Sequence, residues 1–165
     1  MVGLRGTRVE DDVVGNSGAS GSVGRRMELT AALDFARPRK NGVLVALKSD
    51  GRPQLSNISY AVGGDDVVRI SITAGRAKYA NLRRDNRASL YVSREDFWGY
   101  VVIDAEAELS PMAAEPNDAT VEELVALYRA VAGEHSNWDE YRAAMVADRR
   151  LVVRLRPVHA YGMGA

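Results

Sequence analysis

The sequence predicts a mainly β protein in which a small antiparallel barrel carries peripheral helices. Two observations indicate this fold class. About six segments have the extended, alternating pattern of strands, and most are joined by turns short enough for hairpins. Segments with helical spacing fall at the middle and the ends of the chain. With 165 residues, the chain has about the length of one domain.

The start of the chain differs in composition from the rest. Six of the fifteen glycines lie within residues 1–26, together with three serines and no periodic apolar pattern. Such a segment buries too little apolar surface to offset its loss of conformational entropy. We therefore predict a disordered leader over residues 1–26, a barrel domain over residues 27–165, and Met27 as a candidate initiator.

Two glycine turns organise the first three strands. Asp50-Gly51 lies between two extended runs and is the strongest hairpin signal in the chain. Residues 63–66, Gly-Gly-Asp-Asp, form a second turn, so these strands predict an antiparallel meander. The extended runs are residues 43–48, 54–62, 67–73, 88–93 and 98–109, and a final strand that alternates from Leu151 to Arg156.

Two short helices are expected in the first half of the domain. Apolar residues at helical spacing predict a helix over residues 28–36, and Pro38 ends it. Residues 76–84 place small and apolar residues among basic ones directly after Gly75, which favours a second short helix entered from a strand end.

Two further helices are expected before the last strand. Thr120 with Glu123 is typical of a capping box, and Gly133 supplies the C-terminal stop. Asn137 with Glu140 predicts the start of the other helix.

Composition argues against several functional classes. The 22 basic and 22 acidic side chains leave no net charge, which disfavours a protein held to nucleic acid by a global positive field. The chain has no cysteine and only two histidines, which disfavours zinc sites. The longest aliphatic run, residues 43–47, is too short for a membrane span or a signal-peptide core. We expect a cytoplasmic protein without metal, nucleic acid or membrane span.

One face of the second and third strands is a candidate ligand surface. The third strand alternates aliphatic residues with Arg69, Ser71 and Thr73, and the second strand offers Asn57 and Ser59. If the aliphatic face fills the barrel, the other face presents hydroxyls and an amide to a ligand. The alternative is an ordinary solvated sheet face.

A local excess of positive charge follows the third strand. Residues 76–87 hold five basic side chains against one acidic one, a balance of 5 − 1 = +4 in a neutral chain. Cations at the start of a helix favour a phosphate or polycarboxylate site. A solvated helix face is the alternative, and nucleic acid is a weaker one. The basic residues are Arg76, Lys78, Arg83, Arg84 and Arg87.

The rest of the chain offers few further candidate site residues. Phe97, Trp98 and Tyr100 cluster at the start of the longest strand, where they could stack on a planar ring, bury in a subunit interface or pack in the core. His135 and His159 have no partner at catalytic spacing, so we expect structural roles. Nucleophile-elbow, Walker and Rossmann motifs are missing. Hydride transfer by a bound cofactor remains compatible with the sequence, because the cofactor itself carries out the reaction and the protein needs none of these motifs for it.

Two sequence strings carry a family resemblance. Residues 50–57, Asp-Gly-Arg-Pro-Gln-Leu-Ser-Asn, and residues 76–85, Arg-Ala-Lys-Tyr-Ala-Asn-Leu-Arg-Arg-Asp, resemble the split-barrel flavin and deazaflavin reductases, relatives of pyridoxamine-5′-phosphate oxidase. The chain is most similar to the actinobacterial branch that uses coenzyme F420. Shared later segments are Leu-Tyr-Arg at residues 127–129, Gly-Glu-His-Ser at 133–136, Trp-Asp at 138–139 and Asp-Arg-Arg at 148–150.

The resemblance, which runs from about residue 28 to residue 161, implies a fold and a site. The fold is a six-stranded antiparallel split β-barrel of the FMN-binding type, assembled as a homodimer with cofactor sites between the subunits. The Arg76-Ala77-Lys78 segment would bind the cofactor phosphate or acidic tail, and Trp98 and Tyr100 would approach from the second subunit. The ring or ribityl chain would lie along Gln54, Ser56, Asn57, Ser71, Ile72 and Thr73.

The resemblance also implies an activity. We expect an F420H2-dependent oxidoreductase that passes a hydride to an electron-poor small molecule such as an activated alkene or enone. One alternative is an FMN enzyme acting like pyridoxamine-phosphate oxidase, although residues 156–159 lack the spacing of its Arg-x-His pair. A non-catalytic F420 carrier is another. No proton donor is assigned, and Tyr60, Tyr100 and His159 are the candidates.

Overall fold

The computed structural model describes residues 25–164 of the protein. The leader predicted over residues 1–26 lies outside the described residues, apart from its last two positions. These form β1 (Arg25–Arg26), which pairs with the final strand.

Within residues 25–164, the chain forms four helices and eight strands. The helices are α1 (Leu29–Ala36), α2 (Ala77–Arg84), α3 (Ala119–Ala132) and α4 (Trp138–Ala147). After β1, the strands are β2 (Asn41–Leu47), β3 (Pro53–Ser59), β4 (Ala61–Val62), β5 (Val68–Thr73), β6 (Arg87–Ser93), β7 (Tyr100–Leu109) and β8 (Arg150–Met163). In this part of the chain, no helix combines the length and apolar character that crossing a membrane requires, and no group of potential metal ligands occurs.

The strands form one antiparallel sheet in the order β3-β2-β6-β7-β8-β5-β4. Strands β3 and β4 lie at opposite ends of this order, yet only Tyr60 separates them along the chain. The sheet must therefore curl until its two ends meet. The predicted mainly β, antiparallel split barrel is confirmed, with its six long strands supplemented by the two-residue strands β1 and β4.

The predicted meander is broken at Tyr60. Strand β3 pairs with β2, and β4 pairs with β5, so the single extended run expected over residues 54–62 becomes two strands. The Tyr60 ring is fully buried, and its hydroxyl donates to the carbonyl of Ala36 at 2.8 Å. Burial raises the pKa of Tyr60 well above its ordinary value. A side chain held in the core in this way is a poor candidate for a proton donor.

The barrel core follows the alternation of the strands. In β5, Val68, Ile70 and Ile72 are buried, while the intervening side chains are half-buried on the outer face. Strand β8 differs because α3 and α4 cover its outer face, so Val152 is buried as completely as Leu151.

The capping box predicted for α3 is wrong. Asp118 is the N-cap, and its Oδ1 accepts from the backbone N–H of Val121 at 2.8 Å. Thr120 lies inside the first turn, where its hydroxyl donates to a backbone carbonyl. Glu123 instead pairs with basic side chains of the sheet. Helix α3 thus begins two residues earlier than its sequence signal suggests.

Candidate functional site

Two neighbouring cavities share one residue, Ser59. The larger, of about 470 Å³, lies on the outer face of β2, β3 and β6 and is lined in part by Asn41, Asn57 and Tyr91. The smaller, of about 250 Å³, lies between the sheet and the helices α3 and α4 and is lined in part by Ser71. Because Ser59 lines both cavities, we describe them together as the β3–β5 groove.

Strand alternation creates the groove. Asn57 and Ser59 are exposed on the outer face of β3, while Ser71 and Thr73 are half-buried on the outer face of β5. Continuing the β4–β5 register past Tyr60 would set Ser59 beside Ser71 and Asn57 beside Thr73. Ser59 and Ser71, two of the hydroxyl side chains predicted to share a face, line the same cavity, whereas Thr73 lines neither of the two.

A cluster of cations stands at one end of the groove. Lys78, in the first turn of α2, is half-buried. Burial lowers the pKa of Lys78, and the charges of Arg76 and Arg150 lower it further. Across residues 25–164, neither Arg76 nor Lys78 pairs with a carboxylate. The cluster of Arg76, Lys78 and Arg150 therefore favours an anion.

Arg150 is the site residue that sequence reasoning missed. Its Nη1 donates to Ser71 Oγ at 3.3 Å, which links the start of β8 to the groove. The signal that could have found it is its position at the start of the last strand, inside the shared Asp-Arg-Arg segment.

The other three basic residues of the 76–87 segment make contacts away from this cluster. Arg84 donates to the carbonyl of Leu47, and Arg87 pairs with Asp85 at 2.7 Å. Arg83 lies over the ring of its own helix neighbour Tyr79. Only Arg76 and Lys78 of the five predicted cations thus join the cluster.

Gln54 and Ser56 lie on the opposite face of β3 from Asn57. Gln54 Nε2 donates to Ser56 Oγ at 2.7 Å, and both side chains are half-buried. Gln54 Oε1 is buried and has no hydrogen-bond partner among the described residues. The two side chains thus form their own polar pair, as strand alternation requires.

The side chains of two other predicted site residues are poorly suited to bind a ligand. Ile72 points into the core, where it is 2% exposed, so only its backbone faces the groove. Ala77 is the first residue of α2 and is exposed.

The aromatic residues divide into two groups. Phe97 and Trp98 are 76% and 78% exposed in the β6–β7 connection, so the core-packing interpretation is wrong for both. Strand β7 begins at Tyr100, two residues later than predicted. The Tyr100 ring lies 5.8 Å from that of Tyr91, which lines the larger cavity.

His159 has a carboxylate partner after all. Its Nδ1 lies 3.3 Å from Asp104 Oδ2, and Asp104 Oδ1 accepts from Ser89 Oγ at 2.6 Å. The aspartate stands between serine and histidine, so the histidine does not contact the hydroxyl as a general base would. This trio is not a nucleophilic triad.

His135 belongs to an aromatic cluster between α3 and α4. Its ring lies 5.3 Å from that of Tyr128 and 5.4 Å from that of Tyr141, and Trp138 completes the cluster. The structural role expected for this histidine agrees with these contacts.

The residues of the groove fit a phosphate-bearing, ring-containing cofactor. The anion-binding end has two cations without carboxylate partners, and Arg150 Nε there is a buried donor with no hydrogen-bond partner among the described residues. The adjoining strands supply neutral hydroxyl and amide groups rather than charges. A cofactor that has an anionic group, a polar chain and a planar ring would place its anionic group at the cations and its chain and ring along the hydroxyl and amide groups.

Comparisons with known proteins point to one family. The family model for pyridoxamine 5′-phosphate oxidase matches residues 29–164, which include every string of the sequence resemblance. A solved structure named F420 reductase is 25% identical, with a TM-score of 0.59 over 79% of this chain and 93% of that one.

Two further solved structures share the fold. The conserved hypothetical protein Rv2991 from Mycobacterium tuberculosis is 22% identical, with a TM-score of 0.64 over 83% of this chain and 84% of that one. A FAD-binding protein from Mesorhizobium loti is 18% identical, with a TM-score of 0.60 over 86% and 96% of the two chains.

Proposed function

The chain belongs to the pyridoxamine 5′-phosphate oxidase family, and from this premise we propose that it is an F420H2-dependent reductase. The observation that carries the proposal is the pair of cations at the start of α2, Arg76 and Lys78, neither of which pairs with a carboxylate among residues 25–164. F420 ends in a phosphodiester and an acidic tail, so it presents several negative charges to such a pair. The similarity to a protein named F420 reductase favours the same cofactor.

Arg76 and Lys78 act as the anion-binding residues. Both lie at the start of α2, whose first N–H groups lack partners within the helix and add to the attraction. Ser71, Thr73 and Asn57 follow along the groove and provide hydrogen bonds for a polar chain and a ring edge. The protein thereby fixes the position of the cofactor relative to an acceptor, which is its main contribution to catalysis.

The bound reduced deazaflavin would supply a hydride to an electron-poor alkene. Reduction of the alkene takes this hydride and one proton, and it leaves the alkene saturated and the cofactor oxidised. The buried Tyr60 is excluded as the proton source by its hydrogen bond to the backbone. Tyr100 beside the larger cavity and solvent water remain the candidates.

A second copy of the chain would complete the site. The outer sheet face and the β6–β7 connection expose several large apolar side chains, among them Leu55 at 61% and Val158 at 55%. Such side chains favour burial against a partner. Trp98 lines neither cavity of its own chain, so we propose that it reaches the groove of the second copy in a homodimer.

Turnover separates an enzyme from a carrier of F420. The test is steady-state oxidation of F420H2 by cyclohex-2-enone, followed by the return of the oxidised cofactor's absorbance. We expect protein-dependent oxidation that the Arg76→Ala/Lys78→Ala variant largely loses. Tight F420 binding without oxidation across a panel of enones would instead indicate a carrier.

A further inference from the structure

The smaller cavity has an apolar wall made by two helices. Leu127, Tyr128 and Val131 come from α3, and Tyr141 and Met145 come from α4. The Tyr128 and Tyr141 rings lie 5.0 Å apart in an edge-on arrangement, which makes one side of the cavity aromatic. We call this space the α3–α4 pocket.

Its aromatic wall is braced from behind. Tyr128 also contacts the ring of Trp138, and the indole Nε1 of Trp138 donates to Glu134 at 3.0 Å. Tyr141 donates its hydroxyl to the carbonyl of Leu124. Because these contacts fix both tyrosine rings, the wall is preorganised for a flat apolar ligand.

The pocket is also lined by Arg150, whose guanidinium has spare hydrogen-bonding capacity. Arg150 gives Nη1 to Ser71, while its Nε is buried without a hydrogen-bond partner among the described residues. The nearest carboxylate oxygen, Asp148 Oδ2, lies 3.7 Å from Nε, too far for a hydrogen bond, and that side chain is 55% exposed. Because Nε is out of reach of the pocket, hydrogen bonds to an anionic ligand would come from the terminal Nη groups, which carry further N–H groups besides the one given to Ser71.

The size of the pocket limits its ligand. A volume of about 250 Å³ falls below the ~300 to 1,000 Å³ usual for whole drug-sized ligands. The pocket therefore suits a single-ring molecule rather than a complete deazaflavin cofactor. It is the helix-lined part of the β3–β5 groove and shares Ser59 with the larger cavity, so a ligand in it would lie next to a cofactor ring held in the larger cavity.

We propose that the α3–α4 pocket binds a planar conjugated carboxylate, whose ring packs on Tyr128 and Tyr141 and whose carboxylate accepts from Arg150. This inference rests on the proposed function in one respect, because it makes such carboxylates the acceptor class of the reductase. The binding site itself stands on the geometry of the pocket.

The test uses benzoate, a flat monoanion, and its uncharged methyl ester as probes of the cofactor-free protein. Calorimetric titration is expected to show benzoate binding that Arg150→Gln weakens about tenfold or more, the loss of a charge-assisted hydrogen bond. The neighbouring Arg149→Gln is the matched control, since Arg149 does not line the pocket, and it should bind benzoate like the wild type. Val131→Trp should block the pocket and abolish binding.

Several results would overturn the proposal. These are failure of the wild type to bind benzoate, equal affinity in Arg150→Gln, or equal affinity for the methyl ester. If Val131→Trp does not fold, Arg150→Lys provides the second variant, and recovery of part of the lost affinity is expected. F420 titration of the same wild-type sample separates the two claims. F420 binding without benzoate binding rejects the pocket alone, whereas benzoate binding without F420 binding rejects the reductase and leaves a carboxylate site.

Discussion

Arg150 and Ser71 are joined by a 3.3 Å hydrogen bond between Nη1 and Oγ, although 79 positions separate them in the chain. The contact ties the first residue of β8 to the outer face of β5, the strand with which β8 pairs. It also brings a third cation to the start of α2, where Lys78 lies. The charged end of the groove is therefore a product of pairing between strands distant in sequence rather than of any single motif.

The cation cluster should dominate cofactor affinity. Replacing Arg76 and Lys78 by Ala removes two charges without breaking an ion pair among residues 25–164, and we expect F420 affinity to fall about a hundredfold, with a shallower dependence on salt. Fluorescence titration at several ionic strengths measures both effects. The charge-matched control Lys48→Ala/Arg83→Ala should bind like the wild type. Unchanged affinity in the first variant would remove both residues from the site.

Tyr60 should matter for stability and not for turnover. Tyr60→Phe deletes the buried hydroxyl that donates to the Ala36 carbonyl, and the free energy of unfolding should fall by about 1–2 kcal/mol. Urea denaturation measures the loss. The rate of F420H2 oxidation per folded molecule should stay within about twofold of the wild type, and a loss of most activity would make Tyr60 a proton donor after all.

Glu123 should anchor α3 to the sheet. Its carboxylate pairs with Arg154 at 2.5 Å and with Arg69 at 3.0 Å, and only 16% of the side chain is exposed. Glu123→Gln leaves two partly buried guanidinium groups short of an acceptor and should cost about 2–4 kcal/mol of unfolding free energy. The matched control is Glu122→Gln, which breaks a more exposed pair with Arg142 and should lower the free energy of unfolding much less.

The same carboxylate should make stability depend on pH. The hydrogen bond from Arg154, followed by that from Arg69, lowers the pKa of Glu123 in the folded protein. A lowered folded-state pKa gives stability that is fully present above the unfolded-state pKa and is lost as pH falls through the folded value. Urea midpoints of the wild type should therefore drop on acidification from neutral pH, and Glu123→Gln should show a smaller drop.

The exposed sheet face should mediate self-association. Leu55→Asp/Val158→Asp places charge on two exposed apolar positions of that face and should convert a dimer to a monomer in analytical ultracentrifugation. Ala143→Asp, on the exposed side of α4, is the control and should leave the dimer intact. A variant that remains dimeric would place the interface elsewhere.

Sequence patterns predicted local features well and the closure of the barrel poorly. Alternation in β5 was enough to separate the buried Ile70 from Ser71, which lines the smaller cavity, because the two-residue period of a strand is a local property. The bend at Tyr60 leaves no such signal, since residues 54–62 have one continuous strand pattern and only pairing with two different strands divides them. Arg150 was missed for the same reason, because its partner comes from a distant strand.

The most direct test of the proposed function is a fluorescence titration of the purified wild-type protein with oxidised F420, run beside FMN at matched salt. Selective binding of F420 is predicted, because Arg76 and Lys78, which pair with no carboxylate within residues 25–164, suit a ligand with a phosphodiester and an acidic tail. Equal or tighter binding of FMN would contradict the assignment to F420 and move the protein to flavin chemistry.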